Sequence, residues 1–185
     1  LYPPVLNLLN NISVDRLKVT VLTTTSYGTS FKQFENIDSG IKIIRLGRSG
    51  SGILFLLRWI NFIYFYFSTL LSLIFTRPSK VLYFETLSSF SPLIYKKLFN
   101  KKLELYIHYH EYTSFEEYQS GSKLLKYFHA MERKIFTKAK WISHINDQRL
   151  HQFKQDNSSD KLYNTKVLPN YPPLVWSALP TDNIV

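Results

Sequence analysis

Short apolar runs alternate along the chain with longer stretches in which apolar residues recur every three or four positions. The runs have the length and composition of strands covered on both faces, and the longer stretches are typical of helices. Such alternation predicts repeated βαβ units and therefore an α/β fold, with one mostly parallel sheet and helices on both faces. The predicted strands span residues 17–24, 41–46, 80–85, 103–109, 140–146 and 165–168.

The length of 185 residues fits one well-cored domain. Four prolines crowd the end of the chain, at positions 169, 172, 173 and 180, where neither a helix nor an inner strand is expected. We therefore predict a domain over residues 1–170 and the start of a linker over 171–185. The chain begins without methionine and shows no basic-then-apolar leader, so we expect a fragment without a signal peptide.

An apolar segment at 53–76 allows two interpretations. Its uncharged run from Trp59 to Thr76 has about the 18 residues that a transmembrane helix needs. A span would, however, separate the first two predicted strands from the other four, which could then not pair. We expect a crossover helix that is buried or grazes a membrane. Its polar and small residues recur on one side and would pack on the sheet: Arg58, Asn61, Tyr64, Ser68, Ser72 and Thr76.

A second helix, around residues 123–138, is predicted to be amphipathic and basic. Its apolar residues recur at steps of three and four, and most of its lysines and arginines fall elsewhere. Two interpretations stay open: a solvated charged face over a buried stripe, or contact with a membrane surface. The candidates for membrane contact are Lys123, Lys126 and Lys134.

Charge and cysteine content narrow the function classes. The net charge of +10, from 23 basic and 13 acidic residues, favours an anionic partner but does not distinguish phosphodiesters from lipid headgroups. The chain has no cysteine, which excludes disulfides, thiolate metal sites and cysteine nucleophiles within it.

The most suggestive chemistry follows the strand predicted at 103–109. In open α/β sheets ligands bind at the carboxyl ends of the strands, where His110, Glu111 and Tyr112 would lie. His108 would share a face with His110, but no third ligand is evident, so we expect no metal. His108 is then a buried, hydrogen-bonded histidine and His110 the better candidate for substrate contact. Glu111 would either raise the basicity of His110 or cap the next segment.

Two other strand ends are expected beside the same crevice. Glu85 closes the strand at 80–85, although a carboxylate there often caps the following helix. Ser143 and Asn146 end the strand at 140–146, and with Glu85 they complete the predicted cleft.

Four motifs together resemble the N-terminal domains of glycosyltransferase family 4, and the resemblance spans nearly the whole chain. They are Leu1-Tyr2-Pro3-Pro4-Val5, His110-Glu111-Tyr112, Ser143-His144-Ile145-Asn146 and Pro169-Asn170-Tyr171-Pro172-Pro173.

The resemblance implies one half of a GT-B enzyme, in which two Rossmann-like domains face a cleft. The N-terminal domain receives the acceptor and the C-terminal domain holds a nucleotide-sugar, which serves as donor substrate, without a further cofactor. Transfer in this family retains the anomeric configuration. By this likeness His110 matches the histidine that approaches the donor sugar, and Asn170 matches a position near the hinge.

The sequence departs from the family in two places. The glutamate pair of the donor domain is missing, because no two glutamates here lie eight positions apart. Donor binding by this chain alone should therefore be absent or weak. Family members also begin with a central strand and a glycine-rich loop that would precede Leu1, so this chain either belongs to a longer polypeptide or has an unfilled slot in its sheet.

Three functions follow as hypotheses. The first is sugar transfer to a lipid-linked or polysaccharide acceptor by a cytoplasmic protein that is peripheral at the inner face of the membrane. The alternative is a noncatalytic peripheral membrane adaptor with the same fold. Nucleic-acid binding rests only on charge and tyrosines, without a recognisable module, and we expect no such partner. The oligomeric state stays open.

Overall fold

The computed structural model describes residues 5, 8–9, 17–26, 34–38, 40–49, 55–157 and 164–169. All six predicted strands are present within these residues, with ends shifted by up to three positions. The expected α/β class with parallel strands is confirmed. The predicted linker from Tyr171 onward lies outside the described residues.

The first sheet has three strands in the order β1-β3-β2, which are β1 (Val19–Ser26), β2 (Phe34–Asp38) and β3 (Ile41–Ser49). β1 and β3 are parallel, whereas β2 runs antiparallel to β3 at the edge. The sequence analysis missed β2 because Phe-Glu-Asn-Ile-Asp lacks a β-branched run. Pairing with β3, more than propensity, makes this segment a strand.

The second sheet has four parallel strands in sequential order, which are β4 (Lys80–Phe84), β5 (Glu104–Tyr109), β6 (Trp141–His144) and β7 (Thr165–Val167). Leu105, Ile107 and Ile142 are fully buried on the central strands. They belong to an aromatic-rich core with Tyr83, Tyr109, Phe136 and Phe153. This is the doubly covered sheet that the apolar runs predicted.

The prediction of one continuous sheet was wrong for the described residues. No ladder joins the two sheets there, and β1 and β4 are each an outermost strand. Apolar patterning identifies strands and their faces but does not specify partners, and for this reason the sequence could not reveal the break.

Five described helices connect or flank the strands: α1 (Phe55–Thr76), α2 (Phe90–Leu98), α3 (Phe115–Ser120), α4 (Lys123–Arg133) and α5 (Asp147–Asp156). Ser114, Ser122 and Asn146 cap the last three by accepting a backbone N–H from the first turn. In α4, Phe128 is buried while the lysines are exposed, as the amphipathic pattern predicted.

α1 lies between the two sheets in the chain and packs on both β3 and α2. Gly47 of β3 has a φ of +78° and approaches the helix so closely that a Cβ there would lie 2.9 Å from Oδ1 of Asn61. The buried side of α1 carries Tyr66, Thr69 and Leu73. The predicted packing through the polar stripe was wrong in part, because Arg58, Tyr64 and Thr76 of that stripe are exposed.

Candidate functional site

The carboxyl ends of β4, β5 and β6 meet at one edge of the second sheet, since the three strands are parallel neighbours. Glu85 directly follows β4, His110 follows β5, and Asn146 lies two residues beyond β6. This edge is where open α/β sheets bind ligands, so these side chains define the candidate site.

Glu85 and His110 are joined through the backbone. Oε1 of Glu85 accepts hydrogen bonds from the backbone N–H of His110, at 2.5 Å, and of Glu111, at 3.2 Å. The expected capping of the next helix is absent, since Glu85 makes no side-chain cap to the 3-10 turn Thr86–Ser88. Glu85 instead holds the chain that leaves the neighbouring strand.

The backbone of Glu85 is strained, with φ of 62° and ψ of 155°. A left-handed conformation at a residue with a side chain costs on the order of 1–3 kcal/mol and occurs most often at functional sites. The Glu85 N–H donates to the carbonyl of His108 at 3.1 Å, which fixes this turn against β5. Burial raises the pKa of the Glu85 carboxyl, an effect opposed by the two backbone N–H donors.

Arg149 holds the other side of the same residue, because its guanidinium donates a hydrogen bond to the carbonyl oxygen of His110. Asn146 caps α5 by accepting the Arg149 N–H at 2.9 Å, so it sets the start of this helix. Glu85 thus hydrogen-bonds to the N–H of His110, and Arg149 hydrogen-bonds to its C=O. We call this arrangement the His110 clamp; the sequence analysis did not single out Arg149.

His108 and Ser143 lie beneath the site. His108 is 5% exposed, and its Nδ1 lies 2.8 Å from Oγ of Ser143, which also donates to the carbonyl of Ile107 at 3.2 Å. Burial, and then the nearby His110, lowers the pKa of His108 to about 4. The interpretation of His108 as a buried, hydrogen-bonded histidine is confirmed. Ser143 was expected in the cleft but is fully buried, because it pairs in register with the buried His108 and lies on the same covered face of the sheet.

Tyr112 and Glu111 are among the residues that line a narrow cavity of about 10 Å³. This is about the smallest space that can hold one water molecule. The Tyr112 hydroxyl donates to Oδ2 of Asp156, which also accepts the Phe115 N–H at 2.8 Å. Burial, and then the bond to Asp156, raises the pKa of Tyr112. Glu111 is exposed.

His144 lines this cavity from below and is 1% exposed. It stacks on Tyr109 at a centroid distance of 5.2 Å and contacts Phe153 at 5.0 Å. Among the residues that the structure describes, neither ring nitrogen has a hydrogen-bond partner. Burial, followed by His108 and Arg149, lowers the pKa of His144 to about 4.

A buried carboxyl, Glu132 of α4, lies in a cluster of hydroxyls. It is 0% exposed, and the hydroxyls of Tyr83, Thr86 and Tyr109 lie beside it and oppose the effect of burial on its pKa. Burial is the main cause that raises the pKa of Glu132 to about 7. The Thr86 hydroxyl also pairs with the hydroxyl of Tyr118 at 2.7 Å. The sequence analysis did not single out Glu132, although it lies four positions after the buried Phe128, on the apolar side of α4.

The remaining predicted residues are not part of this arrangement. Lys123, Lys126 and Lys134 are exposed on α4 or at its end, and none makes an ion pair within the described residues. Asn170 lies outside the described residues. In the part of the chain that the structure describes, no three histidine, aspartate or glutamate side chains are grouped so that they could hold a metal ion.

The sequence matches no protein-family model and no curated protein. Two solved structures of sucrose-phosphate synthase from Thermosynechococcus elongatus are similar in fold. In one, the similarity covers 85% of this chain and 78% of that chain, with 14% identity and a TM-score of 0.59. In the other it covers 85% of this chain but 39% of that chain, with 15% identity and a TM-score of 0.61. The chain therefore has a glycosyltransferase-like, Rossmann-type α/β fold.

Proposed function

We propose that this chain is the acceptor-side domain of a retaining GT-B glycosyltransferase of the family 4 type. It would act in moving a hexose from a nucleotide-sugar to a lipid-linked or polysaccharide acceptor. His110 would approach the donor sugar, and Glu85, Glu111 and Tyr112 would border the acceptor. The observation that carries this proposal is the His110 clamp at the ligand-binding edge of the sheet.

The clamp supplies what this chemistry requires of a positioning device. Departure of the leaving group builds positive charge on the sugar ring, so fixed dipoles in a site that excludes water lower the barrier. A backbone segment that is hydrogen-bonded on both sides keeps its position when substrate binds. This matters because a small displacement of a catalytic group slows a reaction strongly. Glu85 and Arg149 give the His110 peptide that rigidity.

The donor side of the reaction would lie elsewhere. The fold similarity covers only 39% of the longer sucrose-phosphate synthase chain, and the glutamate pair of family 4 is absent here. We therefore expect the 185 residues alone to show no nucleotide-sugar-dependent transfer.

The test uses the full-length protein with a panel of common nucleotide-sugars, and it measures release of the nucleotide product. His110→Ala should lower the rate by roughly 100-fold or more, as loss of one preorganised transition-state contact does. The matched control is His151→Ala on the exposed surface of α5, which should keep its activity. Absence of transfer and of hydrolysis with every donor would refute the proposal.

One observation favours the second function, a noncatalytic membrane adaptor with this fold. α1 exposes a row of large apolar side chains, which is unusual for a crossover helix. An adaptor would bind vesicles in the full-length form with no turnover, and His110→Ala would then change nothing. An enzyme would lose turnover on this substitution and keep its vesicle binding.

A further inference from the structure

α1 carries an apolar face that nothing covers within the described residues. Its large apolar side chains follow steps of three and four from position 60, so they occupy one side of the helix. The opposite side is the buried one, with Tyr66, Thr69 and Leu73. The apolar face comprises Leu57, Ile60, Ile63, Tyr64, Phe67, Leu71 and Phe75, which are between 37% and 80% exposed.

We infer that this apolar face docks onto an anionic lipid bilayer, with α1 lying along the membrane surface. Among the described helices, α1 is long and apolar enough to cross a membrane, over Leu57–Thr76. Only 17% of its most apolar 18 residues are buried inside the protein. A core helix of that composition would be mostly covered by protein. Docking on lipid removes the exposed apolar surface from water, and this burial drives binding.

The contacts of α1 favour lying on the membrane over crossing it. Tyr66 packs against Phe90 and Phe128 at centroid distances of 5.5 and 5.4 Å, and its carbonyl accepts a hydrogen bond from Ser91 Oγ at 2.8 Å. The same helix also packs on β3. β3 precedes α1 in the chain and α2 follows it, and both contact the helix. A helix that crossed the bilayer would lose these contacts.

The charge of the chain segment that contains α1 favours an anionic surface. Residues 41–103 contain ten basic residues and a single acidic one, so this third of the chain supplies nine of the ten net positive charges. The one acidic residue is Glu85, whose carboxylate is engaged by the backbone of His110 and Glu111. Basic residues flanking an inserted apolar face bind acidic headgroups, and the exposed aromatic rings of Tyr64 and Phe67 suit the interface.

The direct test is flotation of the full-length protein with vesicles of phosphatidylcholine and phosphatidylglycerol at a ratio of about 7:3. The double variant Ile63→Glu, Phe67→Glu should bind at least about ten-fold more weakly, because it places two charges in the apolar face. The control Leu17→Glu, Tyr127→Glu changes two other exposed apolar residues and should stay within about two-fold of the wild type. Unchanged binding by the first variant would overturn the inference.

A labelling experiment guards against misfolded variants. The chain has no cysteine, so Phe67→Cys can carry a single environment-sensitive fluorophore within it. A blue shift on vesicle addition is expected at this position and not at Lys154→Cys on the exposed surface of α5. An equal response at both positions, or none, would contradict docking through α1.

Three further outcomes would also overturn the inference. Resistance to alkaline carbonate extraction would show a helix that spans the bilayer. Self-association that Phe67→Glu abolishes, without vesicle binding by the wild type, would assign the face to a second copy of the chain. Loss of binding on reversing Lys123, Lys126 and Lys134, with Ile63→Glu, Phe67→Glu unaffected, would place the contact on α4.

Discussion

Oε1 of Glu85 accepts a hydrogen bond from the backbone N–H of His110 across 2.5 Å, and so links the ends of two neighbouring strands. Glu85 reaches this position from a left-handed backbone conformation, which is unfavourable for a residue with a side chain. The surrounding structure therefore maintains a strained turn at Glu85, and this turn holds the backbone of His110 in place.

The first prediction concerns that link. Glu85→Ala removes the acceptor for two backbone N–H groups and should cost about 1–3 kcal/mol of stability, because both donors lose their partner in a partly buried place. Amide hydrogen exchange at His110 and Glu111 should accelerate by more than the global destabilisation explains. NMR-detected exchange measures both residues in one experiment.

The matched control for Glu85→Ala is Glu104→Ala. Glu104 also lies at a strand end, where it accepts a hydrogen bond from the Tyr106 hydroxyl at 2.6 Å. Its removal should leave exchange at His110 and Glu111 at the wild-type rate. If Glu85→Ala leaves those two amides equally protected, the described link does not hold them.

The second prediction is that Glu85 and Arg149 act on His110 together. A double-mutant cycle with Glu85→Ala and Arg149→Met should give a coupling free energy of about 0.5–3 kcal/mol in unfolding, as expected for residues that share a partner. Arg149 also lowers the pKa of the Glu85 carboxyl, a smaller effect than burial. Strict additivity, measured by urea denaturation, would show that each residue holds His110 independently.

Sequence reasoning predicted that Glu85 and His110 lie at one edge of the sheet but did not anticipate the contact of Arg149. Strand ends are readable from apolar runs, and parallel pairing then brings Glu85 and His110 to one edge. Arg149 was not found because its contact reaches from the first turn of α5 to a backbone carbonyl 39 positions earlier, and no side-chain pattern encodes that bond. The Asn146 cap three residues before it was the one available signal.

The sequence predicted that α1 is a long apolar helix, but it did not predict which side of the helix is buried. Its length and apolar content stand out in the sequence, whereas the choice of buried side depends on which partners β3 and α2 present. Tyr66 faces inward and Tyr64 outward, although the two residues have identical side chains. Periodicity could not separate them because nearly the whole helix is apolar.

The third prediction follows from the burial of His144. Its pKa is lowered from 6.5 to about 4, so the folded protein binds fewer protons than the unfolded chain between these values. Neutral His144 therefore does not oppose folding above pH 6.5. As the pH falls from 6.5 toward 4, the free energy of unfolding decreases by roughly 3 kcal/mol on account of this residue. His144→Phe should remove this part of the acid loss in urea titrations from pH 7 to pH 4 and leave the parts that His108 and His129 contribute. His151→Phe, at an exposed position, should keep the wild-type profile.

The fourth prediction has the opposite sign and concerns Glu132. Burial raises its pKa from 4.5 to about 7, so between these values the folded protein holds a proton that the unfolded chain releases. This carboxyl therefore disfavours folding progressively as the pH rises from about 4.5 through 7, by roughly 3 kcal/mol in total. Glu132→Gln, which stays neutral, should gain stability relative to the wild type between pH 5 and pH 8. Glu116→Gln on the exposed surface of α3 serves as the control, and an equal gain there, or a constant difference for Glu132→Gln across this range, would contradict a buried neutral Glu132.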